Sequence, residues 1–174
     1  VFQAIMGVAR EYNLKNDLED KIISISFDNA SNNNKAIEYF FRSLNPIMDG
    51  ALFHQKCACH VLNLTVKAGL KTSGANDLIT KFKKAVTHIF TNGIRKQRFH
   101  DMCSRMQFTK LRVPWDVDTR WNSTYRMLKR CFPYGHVINA ILNETPEGME
   151  LALSSGEWEQ LNKLMKFLEV FFKA

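Results

Sequence analysis

The sequence has few of the residues that mark disulfide-bonded, fibrous or membrane-spanning proteins. Its 174 residues include 4 cysteines, 4 prolines and 8 glycines. No apolar run approaches the roughly 18 residues that a membrane span requires. The cysteine spacing is not that of a disulfide framework, so we expect reduced thiols, an intracellular protein and no membrane partner. What is present is 45% apolar residues, enough for one buried core, without internal repeats or low-complexity segments.

Positive charge is concentrated in the middle of the chain. The net charge is +7, but residues 67–130 contain 15 basic and 4 acidic side chains, a local excess of +11. Such a concentration attracts polyanions, and each phosphate that it neutralises releases counterions. Nucleic acid is therefore the leading candidate partner. The alternative is a solvated basic face without a partner.

Hydrophobic periodicity predicts strand and helix units in the first third of the chain. Apolar residues recur at helical spacing near the start, and residues 21–28 alternate as in a half-buried strand that ends at Asp28. We predict a helix over the first dozen residues, a strand over 21–28, a helix from Ser31 or Asn32 to before Pro46, a short strand over 51–57, a helix over 58–70 and a loop over 71–74.

The remainder of the chain has the periodicity of helices. We predict a helix from Asp77 that stops at Asn92-Gly93, a helix over 94–106, a long helix after Trp121 that is interrupted at Pro133, and a final helix over 157–172. The predicted fold class is an α/β core running into a mostly α-helical region. The predicted domain boundary separates residues 1–91 from residues 92–174.

Three short segments resemble one known family. They are Phe27-Asp28-Asn29-Ala30-Ser31-Asn32-Asn33, the segment from Phe53 to Leu64, and Asp118-Thr119-Arg120-Trp121-Asn122-Ser123-Thr124-Tyr125. In this order and spacing they resemble the hAT superfamily of DNA transposases, particularly the domesticated plant proteins known as sleeper proteins. The resemblance implies that residues 1–91 are part of an RNase H-like fold. Residues 92–174 would then hold a connecting helix and the start of a helical insertion.

The same resemblance implies metal-dependent DNA strand cleavage and transfer, with three carboxylates holding two Mg²⁺ or Mn²⁺ ions. Asp28 matches the second acid, both catalytic and metal-binding, and a strand end can fix a carboxylate beside an open loop. The first acid is expected upstream of residue 1 and the third beyond the chain, which does not begin with Met. We therefore expect this fragment alone to be inactive. The alternative is that Asp28 is a helix cap or turn residue.

Cys57-Ala58-Cys59-His60 contains the family's Cys-x-x-His element. The resemblance places His60 beside the active site as a catalytic residue and gives Cys57 a structural role at a strand-to-helix corner. A structural zinc site needs four ligands, and no second ligand pair follows, so we expect no zinc here. The alternative is that the cysteines are small core residues and His60 is a histidine at a helix start.

Arg120-Trp121 matches the family's Arg-Trp pair. The resemblance implies that Trp121 stacks on a base flipped out of the duplex and that Arg120 contacts the adjacent phosphate. The alternative is that Trp121 is a core anchor in a helix capped by Asp118 or Thr119, with Arg120 in a local ion pair.

Nine further basic residues are candidates for sequence-independent phosphate contacts: Lys81, Lys83, Lys84, Arg95, Lys96, Arg98, Arg126, Lys129 and Arg130. We expect DNA as the partner, the nucleus as the compartment, and any homo-oligomer to form through regions outside this chain. Two functions follow from the resemblance, a transposase-like DNA-processing protein or a domesticated, non-catalytic nuclear DNA-binding regulator. A third hypothesis is a helical interaction module whose basic face binds an acidic partner.

Overall fold

The computed structural model describes residues 2–12, 24–28, 31–44 and 53–173, which belong to two compact units, residues 1–65 and residues 66–174. Among these residues helices dominate and one small parallel sheet is present. The helix over 75–90 packs with the helices that follow it, and the domain boundary between residues 91 and 92 stays a prediction. Each unit is described below by itself.

The first unit is built from two strands and the helices around them. Its elements are α1 (Phe2–Glu11), β1 (Ile25–Phe27), α2 (Ser31–Leu44), β2 (His54–Lys56) and the start of α3 (Ala58–Thr72). The strands pair in parallel, with Ile25 opposite His54 and Phe27 opposite Lys56. Parallel pairing requires a crossover connection, and α2 is the helix between the strands. All five predicted elements are therefore present, although residues 21–23 and 51–52 of the predicted strands lie outside the described residues.

The core of the first unit is aromatic. Phe40 and Phe53 are fully buried beside Ala36, and partly buried residues of α1 and β1 pack against them. The Phe2 ring lies 4.9 Å from that of Phe40, edge to face, a favourable arrangement for aromatic rings. The apolar face predicted for α1 thus packs against α2. Phe2, Ile5 and Met6 lie on this face because their spacing of three and four residues matches the helical period.

The second unit is helical within the described residues. After the remainder of α3 it contains α4 (Ala75–Phe90), α5 (Gly93–Arg105), α6 (Trp121–Cys131), a 3₁₀ turn (Phe132–Tyr134), α7 (Gly135–Leu142), α8 (Pro146–Met149) and α9 (Ser155–Lys173). Helix α4 packs against α5, α7 and α9, and its apolar face is buried. No helix in the described ranges is both long and apolar enough to cross a bilayer.

Several predicted boundaries of the second unit are confirmed, and two details are corrected. Asn92 ends the α4 region and caps α5, because its Oδ1 accepts hydrogen bonds from two N–H groups at 3.0 Å. The interruption at Pro133 is the 3₁₀ turn between α6 and α7. The predicted loop over 71–74 was wrong at its start, since α3 continues to Thr72 and only Ser73-Gly74 form the turn. Helix α8 was not predicted, because it is only one turn long.

The start of α9 is fixed by several polar contacts. Ser154 and Glu157 form a capping box, in which the Glu157 N–H donates to Ser154 Oγ (3.2 Å) and the Ser154 N–H donates to Glu157 Oε2 (2.8 Å). Lys81 of α4 pairs with the same carboxylate at 2.7 Å. The Lys81 hydrogen bond and the Ser154 N–H hold the pKa of Glu157 below its ordinary value. Helix α9 is therefore tied to α4.

Residues 106–120 have no regular secondary structure. Tyr134 Oη donates to the Thr109 carbonyl at 2.9 Å, and the Asp116 carboxylate holds the end of the segment that leads into α6. Asp116 Oδ1 accepts hydrogen bonds from Ser123 Oγ (2.8 Å) and Thr124 Oγ1 (2.6 Å) at the start of α6. Its Oδ2 lies 2.5 Å from Lys83 Nζ of α4, and the Asp116 side chain is only 7% exposed. The segment is thereby fastened to both helices.

The charge of Asp116 is stabilised by its partners. Burial disfavours the ionised carboxylate, but the hydrogen bonds from Lys83, Thr124 and Ser123 outweigh burial and lower the pKa of Asp116. Burial also acts against the charge of Lys83, and the bonds to Asp116 and Asp118 outweigh it and raise the pKa of Lys83. Both groups are therefore ionised at neutral pH.

Replacing Asp116 tests this attachment. Asp116→Asn keeps an oxygen acceptor for the two hydroxyls but removes the charge beside Lys83, so we expect the free energy of unfolding to fall by about 1–2 kcal/mol at pH 7. Asp118→Asn is the matched control, because that carboxylate contacts the same lysine while 92% exposed, and we expect a loss below about 0.5 kcal/mol. Urea unfolding measures both, and equal losses would contradict the central role of Asp116.

The difference in unfolding free energy between wild type and Asp116→Asn should depend on pH. Because the pKa of Asp116 is lower in the folded protein than in the unfolded chain, its contribution is complete above the unfolded value of about 3.9 and is lost as pH falls through the folded value. The stability difference between wild type and Asp116→Asn should therefore shrink below about pH 4. A difference that stays constant down to acid unfolding would contradict the assignment.

Gly148 in α8 is required for close packing. A Cβ at this position would collide with the backbone carbonyl of Leu142 and lie 2.9 Å from Thr145 Oγ1. We expect Gly148→Ala to lower the free energy of unfolding by about 1–3 kcal/mol. Gly69→Ala in α3 is the control, since nothing lies within 4 Å of its added Cβ and alanine favours a helix by about 0.5–1 kcal/mol. Thermal unfolding measures both variants, and melting temperatures that shift in the same direction for both would refute this packing argument.

Candidate nucleic-acid interface

The carboxyl edge of the small sheet brings together Asp28 and Cys57. Asp28 follows β1 directly, and the Cys57 N–H donates to the Phe27 carbonyl at 2.8 Å. Asp28 is exposed, and its Oδ1 accepts a hydrogen bond from Asn33 Nδ2 of α2 at 2.6 Å. The backbone of β1 therefore fixes Asp28 at the edge where ligands of parallel sheets commonly bind.

His60 lies in the first turn of α3, one turn after the end of β2. Its N–H donates to the Cys57 carbonyl at 3.0 Å, so the Cys-x-x-His element forms the corner between strand and helix. All four cysteines are free thiols, with Cys57 half-buried and Cys59 exposed. The sheet corner thus contains an acid, a thiol and an imidazole on neighbouring backbone segments. Their catalytic and structural roles remain predictions.

The metal ions implied by the family resemblance require more ligands than these residues provide. Among the residues with described positions, no group of three or more His, Cys, Asp or Glu side chains is arranged to hold a metal ion. Asp28 is one carboxylate, whereas a pair of hard divalent cations needs several oxygen ligands. The described residues therefore do not form a metal centre on their own, and we assign no catalytic step to them.

Trp121 is the first residue of α6 and is a core side chain. It is only 5% exposed, and its ring lies 6.3 Å from that of Phe171, edge to face. Its remaining surface lines a cavity of about 310 Å³, to which Lys67 and Lys83 also contribute. The core-anchor alternative is confirmed in this respect. Base stacking by Trp121 remains a prediction, with little of the ring accessible.

Arg120 is exposed and stands at the N-cap position of α6. Its carbonyl accepts a hydrogen bond from the Ser123 N–H (3.1 Å), and its side chain makes no cap hydrogen bond. The alternative in which Asp118 or Thr119 caps this helix is wrong, because the chain turns into the helix one residue later. Arg120 forms no ion pair with another described residue, so its guanidinium is accessible to a phosphate.

Four of the predicted phosphate contacts are ion-paired within the fold, Lys83 with Asp116 as described above and three others with glutamates. Lys81 pairs with Glu157 at 2.7 Å, Arg98 with Glu144 at 2.7 Å, and Lys129 with Glu169 at 3.1 Å. Arg95 uses its Nε to donate to the His88 carbonyl at 2.7 Å. These side chains help to hold helices together, and the nearby carboxylates reduce the positive potential at the four paired positions.

The other predicted contacts form no ion pair. Lys84, Lys96, Arg126 and Arg130 are exposed, and none pairs with an acidic side chain in the part of the chain that the structure describes. Such exposed cations can approach a phosphate without breaking an ion pair. The sequence identified all four, but could not separate them from the paired cations.

The structure adds Arg112 and Phe172 to the candidate interface. They line a groove with three of the predicted cations, Arg126, Lys129 and Arg130. The i, i+3, i+4 spacing of Arg126, Lys129 and Arg130 in the sequence already indicates one helix face. No local sequence pattern predicts Phe172 at this groove, because Phe172 belongs to α9, which is distant in sequence from α6.

The chain matches the family described as the ZBED1 RNase-like helical domain over residues 55–167. This range contains His60, Arg120 and Trp121 and begins after Asp28.

Curated relatives agree with the family match. A putative AC transposase from Zea mays is 32% identical over 91% of this chain and 20% of its own length, and a putative AC9 transposase from the same species is 35% identical over 70% of this chain and 15% of its own length. The zinc finger BED domain-containing protein RICESLEEPER 2 from Oryza sativa subsp. japonica is 21% identical over 98% of this chain and 23% of its own length. The chain thus spans about a fifth of the length of these relatives. No solved structure matches it.

By the family match and these relatives, the chain belongs to the ZBED1 RNase-like helical domain family and is of the hAT transposase-derived type.

Proposed function

We propose that this chain is a DNA-binding part of a nuclear, transposase-derived protein, and that exposed cations of the second unit contact the phosphate backbone. The observation that carries the proposal is that some of the predicted cations form ion pairs within the fold while others stay exposed and unpaired. Lys84, Lys96, Arg120 and Arg130 remain exposed and without acidic partners among the described residues. Contacts of this kind bind DNA without reading its sequence.

The proposal includes an ancestral chemistry for the parent protein, metal-dependent cleavage and transfer of DNA strands. Asp28 would contribute one carboxylate to a Mg²⁺ or Mn²⁺ site, and its fixed position after β1 supports that role. His60 would act near the same sheet edge. This chain itself supplies binding and orientation, since no group of three or more His, Cys, Asp or Glu side chains among the described residues is arranged to hold a metal ion.

The alternative is a domesticated nuclear regulator that binds DNA without cleaving it. Both functions use the same cations, so DNA binding by this chain does not separate them. They differ in the carboxylates of the parent protein, because a two-metal centre needs its full ligand set. An intact set in the parent would favour cleavage, and loss of any member would favour regulation.

DNA binding should depend steeply on salt. We expect the logarithm of the binding constant for duplex DNA to fall linearly with the logarithm of salt concentration, with a slope of about −0.9 for each phosphate contact. The double variant Lys84→Gln/Lys96→Gln should make that slope shallower by about 2. Fluorescence anisotropy of a labelled duplex, titrated at several salt concentrations, measures both.

The control for this titration is Lys81→Gln/Arg98→Gln, which removes the same charge from ion-paired positions. We expect its slope to stay close to that of wild type, because these cations contact carboxylates rather than phosphates. If wild type shows no salt-dependent affinity for duplex DNA, the proposed function fails. If the two double variants lose affinity and slope equally, the distinction between paired and available cations fails.

The chain alone should not cleave DNA. Incubation with supercoiled plasmid and Mg²⁺ or Mn²⁺ should leave the plasmid intact, because one carboxylate cannot hold a catalytic metal pair. Asp28→Asn is the control. Its free energy of unfolding should lie within about 0.5 kcal/mol of the wild-type value, since the amide oxygen can still accept the Asn33 hydrogen bond. Metal-dependent nicking that Asp28→Asn abolishes would instead show that this chain carries a working active site.

A further inference from the structure

A groove lies between α6 and the C-terminal end of α9, and we call it the α6–α9 groove. It has a volume of about 530 Å³ and is lined by Arg112, Tyr125, Arg126, Lys129, Arg130 and Phe172. Four of these six side chains are cationic. The groove differs from the cavity beside Trp121, whose lining contains none of the same residues.

The two walls of the groove are fixed relative to each other. The rings of Tyr125 and Phe172 pack at 4.7 Å, with an angle of 40° between their planes. Lys129 donates to Tyr125 Oη at 2.9 Å and pairs with Glu169 of α9 at 3.1 Å. A groove held by these contacts binds a ligand without first paying the entropy of ordering its walls.

Most of the charge in the groove is uncompensated. Arg112, Arg126 and Arg130 are exposed, and none of them forms an ion pair inside the described ranges. Glu169 neutralises Lys129 and also contacts Lys173 at 3.3 Å. Three guanidinium groups therefore face the same space, and guanidinium binds phosphate oxygens in a fixed, often bidentate geometry.

The groove also offers a flat surface for stacking. Phe172 is 39% exposed, so part of its ring is accessible, and the Arg126 guanidinium lies 5.5 Å from its centroid. Aromatic rings and guanidinium planes are the surfaces on which unpaired bases stack in single-strand-binding proteins. In a duplex the base faces are occupied by their neighbours, so a duplex could use the arginines but not the ring.

We propose that the α6–α9 groove binds single-stranded nucleic acid, with phosphates at Arg112, Arg126 and Arg130 and a base stacked at Phe172. This inference rests on the proposed function for the class of ligand and adds a site and a strand preference. An acidic peptide would satisfy the arginines equally well, but its carboxylates would gain nothing from the exposed ring. The ring therefore favours a nucleic-acid strand.

The test compares two probes that share a phosphate backbone. Labelled oligothymidylate of about twelve nucleotides and an abasic strand of the same length are titrated by fluorescence anisotropy at several salt concentrations. We expect wild type to bind oligothymidylate more tightly than the abasic strand by a factor of about five or more. Phe172→Leu, which keeps apolar packing, should reduce this preference to about one. Arg126→Gln/Arg130→Gln should weaken both probes and make the salt slope shallower by about 1.4.

Arg105→Gln/Lys110→Gln is the matched control, because these exposed cations carry the same charge and lie outside the groove lining. Its affinity should stay within about twofold of wild type, against a larger loss for the groove variant. Circular dichroism melting shows whether each variant is folded, and an unfolded Phe172→Leu leaves the arginine variant to decide.

The outcomes separate this inference from the proposed function. Duplex binding without oligothymidylate binding overturns the groove and leaves the proposed function standing. Equal losses in the groove variant and its matched control also overturn it. Displacement of oligothymidylate by polyglutamate at equal charge concentration replaces the strand with an acidic peptide as the ligand. Absence of binding to every nucleic acid, duplex included, refutes both proposals.

Discussion

The contact between the Asp116 carboxylate and Lys83 is the constraint on which the second unit depends. One oxygen of Asp116 holds the two hydroxyls at the start of α6, and the other holds the amine on α4. Residues 106–120 contain no backbone ladder of their own, so side-chain contacts must fix their path. By fastening this segment, Asp116 sets where α6 begins and which of its residues face solvent.

The position of α6 in turn determines how positive charge is used. With Trp121 and Tyr125 buried, Arg126 and Arg130 are left on the exposed side of the helix. Lys83 pairs with Asp116 and Asp118. Lys81 and Lys129 pair with glutamates of α9, and Arg98 pairs with Glu144 in the turn after α7. The basic middle of the chain is therefore divided into cations that hold helices together and cations that remain available to a partner.

The two units present different kinds of chemistry. The carboxyl edge of the parallel strand pair in the first unit carries Asp28, Cys57 and His60 on neighbouring backbone segments. The helices of the second unit carry the accessible cations and the aromatic groove. Under the proposed function, those cations bind the phosphate backbone of DNA, and Asp28 would serve strand cleavage by the parent protein.

Local sequence patterns were sufficient for most elements of the fold. Helical spacing predicted α1, α2, α4, α5 and α9 to within two or three residues, and β-branched residues together with Asn92 and Pro133 predicted the strand and the helix ends. The errors lie where local rules compete. Lys71 and Thr72 continue α3 because Gly74, with φ of 70°, makes the turn two residues later. Arg120, rather than Asp118 or Thr119, is the N-cap of α6.

The sequence by itself determined the helical periods, the excess of charge over residues 67–130 and the family motifs, since each depends on residue identity and short spacing. Only the tertiary structure decided the partners of those charges, because Lys81, Arg98 and Lys129 meet glutamates 40 to 76 positions away. It also decided the burial of Trp121 and the placement of Phe172 beside Arg126. Such contacts arise when helices pack, and no local pattern encodes which distant side chain will be the neighbour.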